Sequence, residues 1–198
     1  MTPPLAMDRR DVLTLGGAAT LALLAPTGID MEAAVPVRSA ASIIALADAR
    51  YDYSMRFAES LRRQGAEPLM LASDRARVWF DGVRPKLRTG LRYLIGLTLE
   101  SDLFVLERLA GSSGARTDYV GLHDWRCRQG SAHTLSGSIN LDPIATALLA
   151  GKTRWAESLG RALALANEGG RTERRLDLDC AIAAGPRFFV SWRMGWTA

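Results

Sequence analysis

The sequence predicts an α/β fold with three layers, in which helices flank both faces of a mostly parallel β-sheet. Two observations lead to this prediction. Between residues 42 and 122, short apolar runs alternate with segments of helical spacing, starting and ending on a strand. Over residues 173–196, apolar side chains fall at every second position on both sides of Gly185. This spacing indicates an antiparallel β-hairpin at the C-terminus.

The first half supplies four strands and three helices. Short apolar runs, typical of buried strands, cover residues 42–48, 68–72, 93–97 and 117–122. Apolar residues at helical spacing predict helices over 54–64, 78–87 and 98–110. Ser54 and Thr98 are expected to cap the first and third helices, and Gly65 to end the first. Gly82 and Pro85 weaken the second helix.

The second half changes in character. Residues 123–140 are polar and contain glycines, which predicts a long loop. A short helix is expected to begin at Asp142-Pro143 and to end at Gly151, since proline suits the first helical position. Thr153 is expected to cap a further helix. The aromatic residues of the C-terminal segment are interpreted as core residues. Residues 42–198 are therefore expected to form a single α/β domain.

The N-terminal segment has the anatomy of an export signal. Arg9 and Arg10 precede an uncharged apolar run over residues 12–25, and Pro26 ends that run. A helix that crosses a membrane needs about 20 apolar residues, so this run is too short to be one. A basic head followed by about 7–15 apolar residues is typical of a signal peptide. The alternative is an N-terminal amphipathic or anchoring helix.

The stretch Arg9-Arg10-Asp11-Val12-Leu13 resembles the bacterial twin-arginine (Tat) signal, with paired arginines, a variable residue and two apolar residues. The resemblance covers residues 1–41, and Ser39-Ala40-Ala41 is the nearest match to a cleavage site. It implies recognition by the Tat export machinery, a cargo that folds before it crosses, and a location in the periplasm. Contact with the membrane is expected only through an uncleaved signal segment.

Composition excludes several classes of partner and cofactor. The formal net charge is +4, and the basic residues are spread along the chain, so no nucleic-acid partner is predicted. The two cysteines, Cys127 and Cys180, are too few for an iron–sulfur cluster, and no haem-attachment motif occurs. No glycine-rich dinucleotide or phosphate motif follows a strand. The sequence therefore predicts no cofactor. Whether the two cysteines form a disulfide is left open.

Polar residues follow the predicted strands, at the edge where open α/β sheets bind ligands. The candidate catalytic residues are Asp48, Asp74 and His123. The candidate ligand-binding residues are Arg50, Asp52, Thr98 and Glu100. The alternative is that the Ser, Thr and Asp side chains at these positions cap helices.

Both histidines of the chain lie within the polar segment. His123, Cys127 and His133 are candidate ligands of zinc or copper, because imidazole and thiolate bind both metals. The flanking Arg126 and Arg128 oppose a divalent ion by their charge. His123 beside Asp124 is also a candidate for acid–base catalysis. The alternative is an ordinary polar loop.

Three hypotheses about function follow, and whether the chain is an enzyme is left undecided. The first is an exported periplasmic accessory or binding protein, as a subunit or partner of a periplasmic enzyme. The second is a small periplasmic enzyme with an acidic and histidine site at the strand ends. The third is a metal-binding protein that uses the segment from His123 to His133. The first is favoured, because no known catalytic motif is found in the sequence.

Overall fold

Seven strands form one mixed β-sheet in the part of the chain that the computed structural model describes, which is residues 42–124, 131–178 and 188–196. These residues belong to one compact unit. The strands are β1 Ile43–Ala47, β2 Glu67–Met70, β3 Tyr93–Thr98, β4 Arg116–Asp124, β5 Ser131–Ile139, β6 Glu168–Leu178 and β7 Phe188–Gly195. Their order across the sheet is β2-β1-β3-β7-β4-β5-β6.

The helices pack on both faces of this sheet. They are α1 Asp52–Arg63, α2 Arg75–Arg77, α3 Glu100–Gly111, α4 Asp142–Gly151 and α5 Trp155–Ala164. The short α2 continues as a π-helix over Val78–Val83 and a 3-10 helix over Arg84–Thr89. The irregular geometry of this segment agrees with the weakening expected from Gly82 and Pro85. The predicted helix that begins at Asp142-Pro143 is confirmed as α4.

The prediction of an α/β fold is confirmed, but that of a mostly parallel sheet is wrong. Only the pairings of β1 with β2 and with β3 are parallel, and the other pairings among the described strands are antiparallel. β4 runs in the same direction as β3, as strand–helix alternation requires. The two strands are nevertheless not neighbours, because β7 lies between them and pairs with both.

The predicted C-terminal hairpin is also wrong, since β6 and β7 do not pair with each other. β6 pairs with β5 at one edge of the sheet, where its described side chains over residues 168–175 are exposed and largely charged. Charged exposed residues are typical of edge strands, which they protect from pairing with other chains. Residues 189–194 of β7 are buried on both faces, as a central strand requires.

A strand occupies most of the predicted polar loop over residues 123–140. β5 pairs with β4, which extends to Asp124. The alternation is present in the sequence, since His133, Leu135 and Ile139 are buried while the intervening residues are less so. The sequence did not predict this strand, because a polar histidine lies on its buried face and Gly137 interrupts the alternation. Residues 125–130, which join the two strands, lie outside the described part.

Three expected helix caps are also wrong. Ser54 accepts a hydrogen bond from the backbone N–H of Asp48 (2.8 Å), and Tyr51 precedes α1 instead. Thr98 accepts a hydrogen bond from the indole N–H of Trp192 (3.0 Å), and Leu99 precedes α3. Thr153 lies within a short 3-10 helix before α5 and does not cap it. Both Ser54 and Thr98 bond across the core because their side chains are buried.

Each face of the sheet has its own core. On the first face α1, α4 and α5 cover the sheet, with Phe57, Leu61, Ile144, Leu148, Leu159 and Leu163 among the buried residues. On the second face, residues 75–89 and α3 cover β1, β3 and β7, with Trp79, Val83, Leu103, Leu106 and Trp192 among the buried residues. The second core contains no described residue of β5 or β6. The three-layer arrangement is therefore complete over only half of the sheet.

A buried arginine of β7 ties the two halves together. The Arg193 side chain is 2% exposed. Its guanidinium donates to both oxygens of Asp118 on β4 (2.8–3.0 Å) and to the carbonyl of Ala166 (2.9 Å). It also lies over the ring of Tyr93 on β3, 4.7 Å from the centroid. A bidentate pair of this kind is strong and directional, so it fixes β7 between its two neighbours.

Replacing this arginine is expected to destabilise the fold strongly. In Arg193→Met the carboxylate of Asp118 loses its partner while partly buried, which costs about 3 kcal/mol of unfolding free energy. Urea unfolding followed by circular dichroism measures it. Arg77→Met is the control, because the exposed pair of Arg77 with Asp81 contributes only about 0.5 kcal/mol. Equal losses in the two variants would contradict the role of Arg193.

Candidate functional site

The carboxyl ends of β1, β2, β3 and β4 meet at one edge of the sheet, which we name the strand-end rim. β3 and β4 each pair antiparallel with β7, so they run the same way, and β1 and β2 run parallel to β3. The rim therefore brings together the segments that follow each of these strands. This is the edge at which the sequence places the candidate catalytic and ligand-binding residues.

Asp48, at the end of β1, is buried and held by Arg50. The guanidinium of Arg50 donates to both carboxylate oxygens (2.7–3.2 Å), and its backbone N–H donates to Oδ1 (3.0 Å). Burial alone raises the pKa of Asp48, but the hydrogen bonds and charge of Arg50 outweigh it and lower that pKa below its usual value. Asp48 therefore carries a negative charge that Arg50 neutralises.

A second buried carboxylate, Asp102, lies beside this pair. Arg75 donates to its Oδ1 from Nε (2.8 Å) and pairs with the same oxygen through Nη2 (2.6 Å). Nη2 of Arg50 lies 3.8 Å from its Oδ2. The rim thus holds a compact network of two arginines and two aspartates whose charges cancel. Sequence reasoning missed Asp102, although its place in the first turn of α3 is one where an acid is stabilising.

The other candidates at the rim are separated from this network. Asp52 pairs with Arg56 one turn along α1 (2.8 Å), and Asp74 caps α2 by accepting from the backbone N–H of Arg77 (3.0 Å). Thr98 is buried against Trp192. Glu100 is exposed at the start of α3. Of the seven residues predicted for the strand ends, the structure brings only Asp48 and Arg50 into direct contact.

His123 belongs to a chain of four buried polar side chains on the first face. The Tyr119 hydroxyl lies 3.0 Å from Ser191 Oγ, and that oxygen lies 2.7 Å from Nε2 of His123. Nδ1 of His123 lies 2.6 Å from Nδ1 of His133, its direct partner across β4 and β5. We call these four residues the histidine chain.

The donors in the histidine chain depend on which ring nitrogens carry protons, and either oxygen can donate between Tyr119 and Ser191. In one arrangement the phenol of Tyr119 donates to Ser191 Oγ, the serine hydroxyl donates to Nε2 of His123, and Nδ1–H of His123 donates to Nδ1 of His133. This arrangement gives a donor and an acceptor to each of the three contacts with both histidines neutral.

Burial keeps these side chains neutral. Desolvation raises the pKa of Tyr119, and it lowers the pKa of His123 well below its ordinary value, with a smaller effect from His133. Desolvation also lowers the pKa of His133 to about 4. A neutral imidazole offers one lone pair on nitrogen, which suits it to accept a hydrogen bond or to bind a metal.

Aromatic rings surround the histidine chain. The ring of Trp155 lies 5.0 Å from that of His123 and 6.0 Å from that of His133, measured between centroids. Tyr53 packs on Trp155 (5.4 Å). Gly121 provides room for the polar atoms, because a Cβ at this position would collide with Tyr119 Oη and Ser191 Oγ. Tyr119, Gly121 and His123 share one face of β4, which is the signal that could have linked them in the sequence.

The predicted metal ligands His123 and His133 are therefore in contact, whereas Cys127 lies outside the described residues. Within the part of the chain that is described, no group of three or more His, Cys, Asp or Glu residues could hold a metal ion. Sequence reasoning missed Ser191, because it lies 68 positions from His123 along the chain. It also missed Tyr119, which lies on the same strand as His123.

A separate pocket lies on the second face where the helical layer stops, and we call it the open-face pocket. Its volume is about 340 Å³. Its lining residues come from α3, β4, β5, β6 and β7, and are Glu100, Leu122, Asp124, Ala132, Thr134, Arg175, Phe188, Phe189 and Val190. Leu122 and Phe188 are 47% and 52% exposed, which is high for large apolar side chains.

Comparison of the chain with protein-family models, curated proteins and solved structures gave no significant match. No helix in the described ranges has both the length and the apolar character needed to span a membrane.

The neutral histidines predict a loss of stability in mild acid. In the unfolded chain the two histidines bind protons near pH 6.5, whereas in the folded chain they do not. These two histidines therefore leave the free energy of unfolding unchanged above that pH. It falls from pH 6.5 toward pH 4 by about 1.4 kcal/mol per pH unit for each histidine. Urea unfolding at a series of pH values measures the slope. His133→Gln is expected to halve it, and a flat profile in the wild type would contradict the assignment.

Proposed function

We propose that this chain is an exported accessory or binding protein of the periplasm, and that the open-face pocket is its binding surface. The observation that carries the proposal is the exposure of Leu122 and Phe188 on the sheet face whose core contains no described residue of β5 or β6. Pockets that bind small molecules combine an apolar floor with a few polar groups, here Glu100 and Arg175.

The candidate acid–base side chains are either paired with arginines or buried, and this favours binding over catalysis. Asp48 and Asp102 are neutralised by arginines at the strand-end rim. The Ser191–His123 contact is buried beneath aromatic rings, where a substrate has no access to the hydroxyl. By contrast, Glu100 at the open-face pocket is exposed to solvent.

The second candidate function is a small enzyme. Ser191, His123 and His133 are ordered as nucleophile, base and supporting group, with contacts of 2.7 and 2.6 Å. This function requires the aromatic cover of Trp155 to open. Ser191→Ala retaining every activity found in a hydrolase substrate screen would exclude it.

A second pocket of about 260 Å³ extends the proposed binding surface. It is lined by Glu107 of α3, by Val120 and Ser136 of the sheet, and by Arg171 of β6, among others. Acidic side chains of α3 thus border the open face on one side, and basic side chains of β6 border it on the other. A ligand or partner segment that carries both charges suits this arrangement.

The resemblance of residues 9–13 to a twin-arginine signal supports the proposal of export, and a reporter fusion tests it. Residues 1–41 joined to a fluorescent protein that folds in the cytoplasm are expected to deliver it to the periplasm. Changing Arg9→Lys and Arg10→Lys together is expected to abolish delivery, and Arg38→Lys, outside the paired motif, is the control. Cell fractionation measures the outcome, and equal export of all three fusions would contradict the assignment.

Binding at the open-face pocket can be mapped with a fragment library by protein NMR. We expect bound fragments to shift the amide signals of Thr134 and Leu122. Leu122→Asp places a charge on the apolar floor and is expected to weaken binding about tenfold or more, the loss that corresponds to about 1.4 kcal/mol. The control is Phe104→Asp, an equally drastic change at an exposed aromatic residue outside the pocket lining. Fragments that shift only residues elsewhere would contradict the proposal.

A further inference from the structure

Two exposed phenylalanines on the second face each lie beside an arginine four positions later in the chain. Phe80 is 49% exposed and Phe104 is 58% exposed. The guanidinium of Arg84 lies 5.6 Å from the centroid of the Phe80 ring, and that of Arg108 lies 5.2 Å from the centroid of the Phe104 ring. The same pairing of an apolar ring with a cation therefore occurs in two separate segments. We call these four residues the Phe–Arg surface.

The two segments lie side by side in the helical layer of the second face. Residues 78–83 and α3 are in contact, and their buried side chains belong to the same core. Since each segment packs on the sheet through those buried side chains, Phe80 and Phe104 lie on the outer side of the layer. Val105 adds another exposed apolar side chain to α3. Apolar side chains grouped among charges on an exposed surface are typical of an interaction site.

The positive charges of this surface are not neutralised by neighbouring acids. Among the described residues, no acid forms an ion pair with Arg84 or Arg108. Acids of the same layer are engaged elsewhere. Asp81 pairs with an arginine of α2 (3.2 Å), and Glu107 accepts a hydrogen bond from the hydroxyl of Thr117 (2.6 Å). The Phe–Arg surface therefore combines apolar rings with cations that are available to an anionic partner.

The shape of this surface suits a bilayer better than a small molecule or a peptide. Neither of the two pockets described above is lined by a residue of the Phe–Arg surface, and the α3 residues that line them are Glu100 and Glu107. The surface consists of the outer sides of two helical segments, so it is convex. A lipid surface requires no pocket, because apolar rings enter the boundary between headgroups and acyl chains while cationic side chains stay at the phosphates.

We propose that the Phe–Arg surface docks on a bilayer that contains anionic phospholipids. Phe80 and Phe104 remove their exposed apolar area from water on insertion, and Arg84 and Arg108 bind phosphate oxygens through paired N–H groups. The described part of the chain makes this contact, so it differs from the membrane contact expected through an uncleaved signal segment. It is also independent of the open-face pocket, whose lining residues are different.

Insertion can be located with an environment-sensitive dye on the full chain. In a Cys127→Ser/Cys180→Ser background, Ser101→Cys places the dye one turn from Phe104 on α3, and Ala150→Cys places it on α4, which covers the first face. Vesicles of phosphatidylcholine and phosphatidylglycerol in equal amounts are expected to shift the emission of the first label to the blue and to leave the second unchanged. Both variants carry the N-terminal segment, so its own binding does not produce this difference. A shift at neither label, or equal shifts at both, would overturn the inference.

Variants of the rings test which side chains insert. With the Ser101 label, Phe80→Ser/Phe104→Ser is expected to lower the docking equilibrium about a hundredfold, since each inserted ring contributes about tenfold. The matched control is Leu149→Ser/Leu165→Ser, at leucines that are 50% and 53% exposed outside the Phe–Arg surface. It is expected to dock as the wild type does, and an equal loss in both variants would refute the assignment. Circular dichroism checks the fold of each variant.

The lipid composition tests the role of the arginines. In vesicles of phosphatidylcholine alone, docking is expected to fall at least about tenfold, because the phosphate charges are then neutralised by choline. Raising the salt concentration to about 1 M, where the Debye length is about 3 Å, is expected to have the same effect on the mixed vesicles. Arg84→Gln/Arg108→Gln is expected to remove the preference for anionic vesicles. Equal docking of the unaltered surface on neutral and anionic vesicles would count against the proposal.

Discussion

The position of β7 between β3 and β4 is the constraint on which the rest of the structure depends. Without β7, a parallel unit of β1, β2 and β3 would be separate from an antiparallel unit of β4, β5 and β6. The pair of Arg193 and Asp118 fixes β7 at one end of the sheet, and the hydrogen bond of Trp192 to Thr98 fixes it further along. Since a central strand contributes to both faces, β7 also supplies Phe189 to one core and Trp192 to the other.

The histidine chain depends on the same insertion. Ser191 comes from β7, whereas Tyr119 and His123 come from β4 and His133 from β5. A buried hydrogen-bonded network stabilises a fold only when every member is satisfied, because unpaired polar groups are costly in a medium of low dielectric constant. The members of this network come from three strands. The hypotheses of catalysis and of metal binding concern the same histidines that this buried network holds in contact.

Local sequence patterns predicted the elements better than their arrangement. The apolar runs before Asp48 and Thr98 are strands, and the turn at Gly65 ends α1 in a left-handed conformation as expected. Pairing was not predictable, because periodicity identifies a strand but not its neighbour. For β7 the density of apolar residues over 188–194 was a usable signal of a central strand. For β5, the buried His133 broke the alternation of apolar and polar residues.

For the candidate site, likewise, the sequence predicted the location of residues better than the contacts between them. The order of strands and helices predicted correctly that Asp48 and Arg50 lie at an edge shared by several strands. It could not predict that Arg50 would neutralise Asp48, since an aspartate followed by an arginine occurs equally in open loops. Nor could it reveal Ser191 beside His123, because that contact joins residues distant in the chain. Contacts of this kind depend on tertiary structure alone.

The late position of β7 in the chain also has a consequence for the order of events in the cell. Trp192 and Thr98 are 94 positions apart, so the two halves of the sheet cannot join until the ribosome has released nearly all of the described residues. Pairings between such distant segments form slowly. If the chain is exported in the folded state, as proposed above, it has to wait for this step before it crosses a membrane. Insertion of one strand then sets the time at which the chain becomes ready for transport.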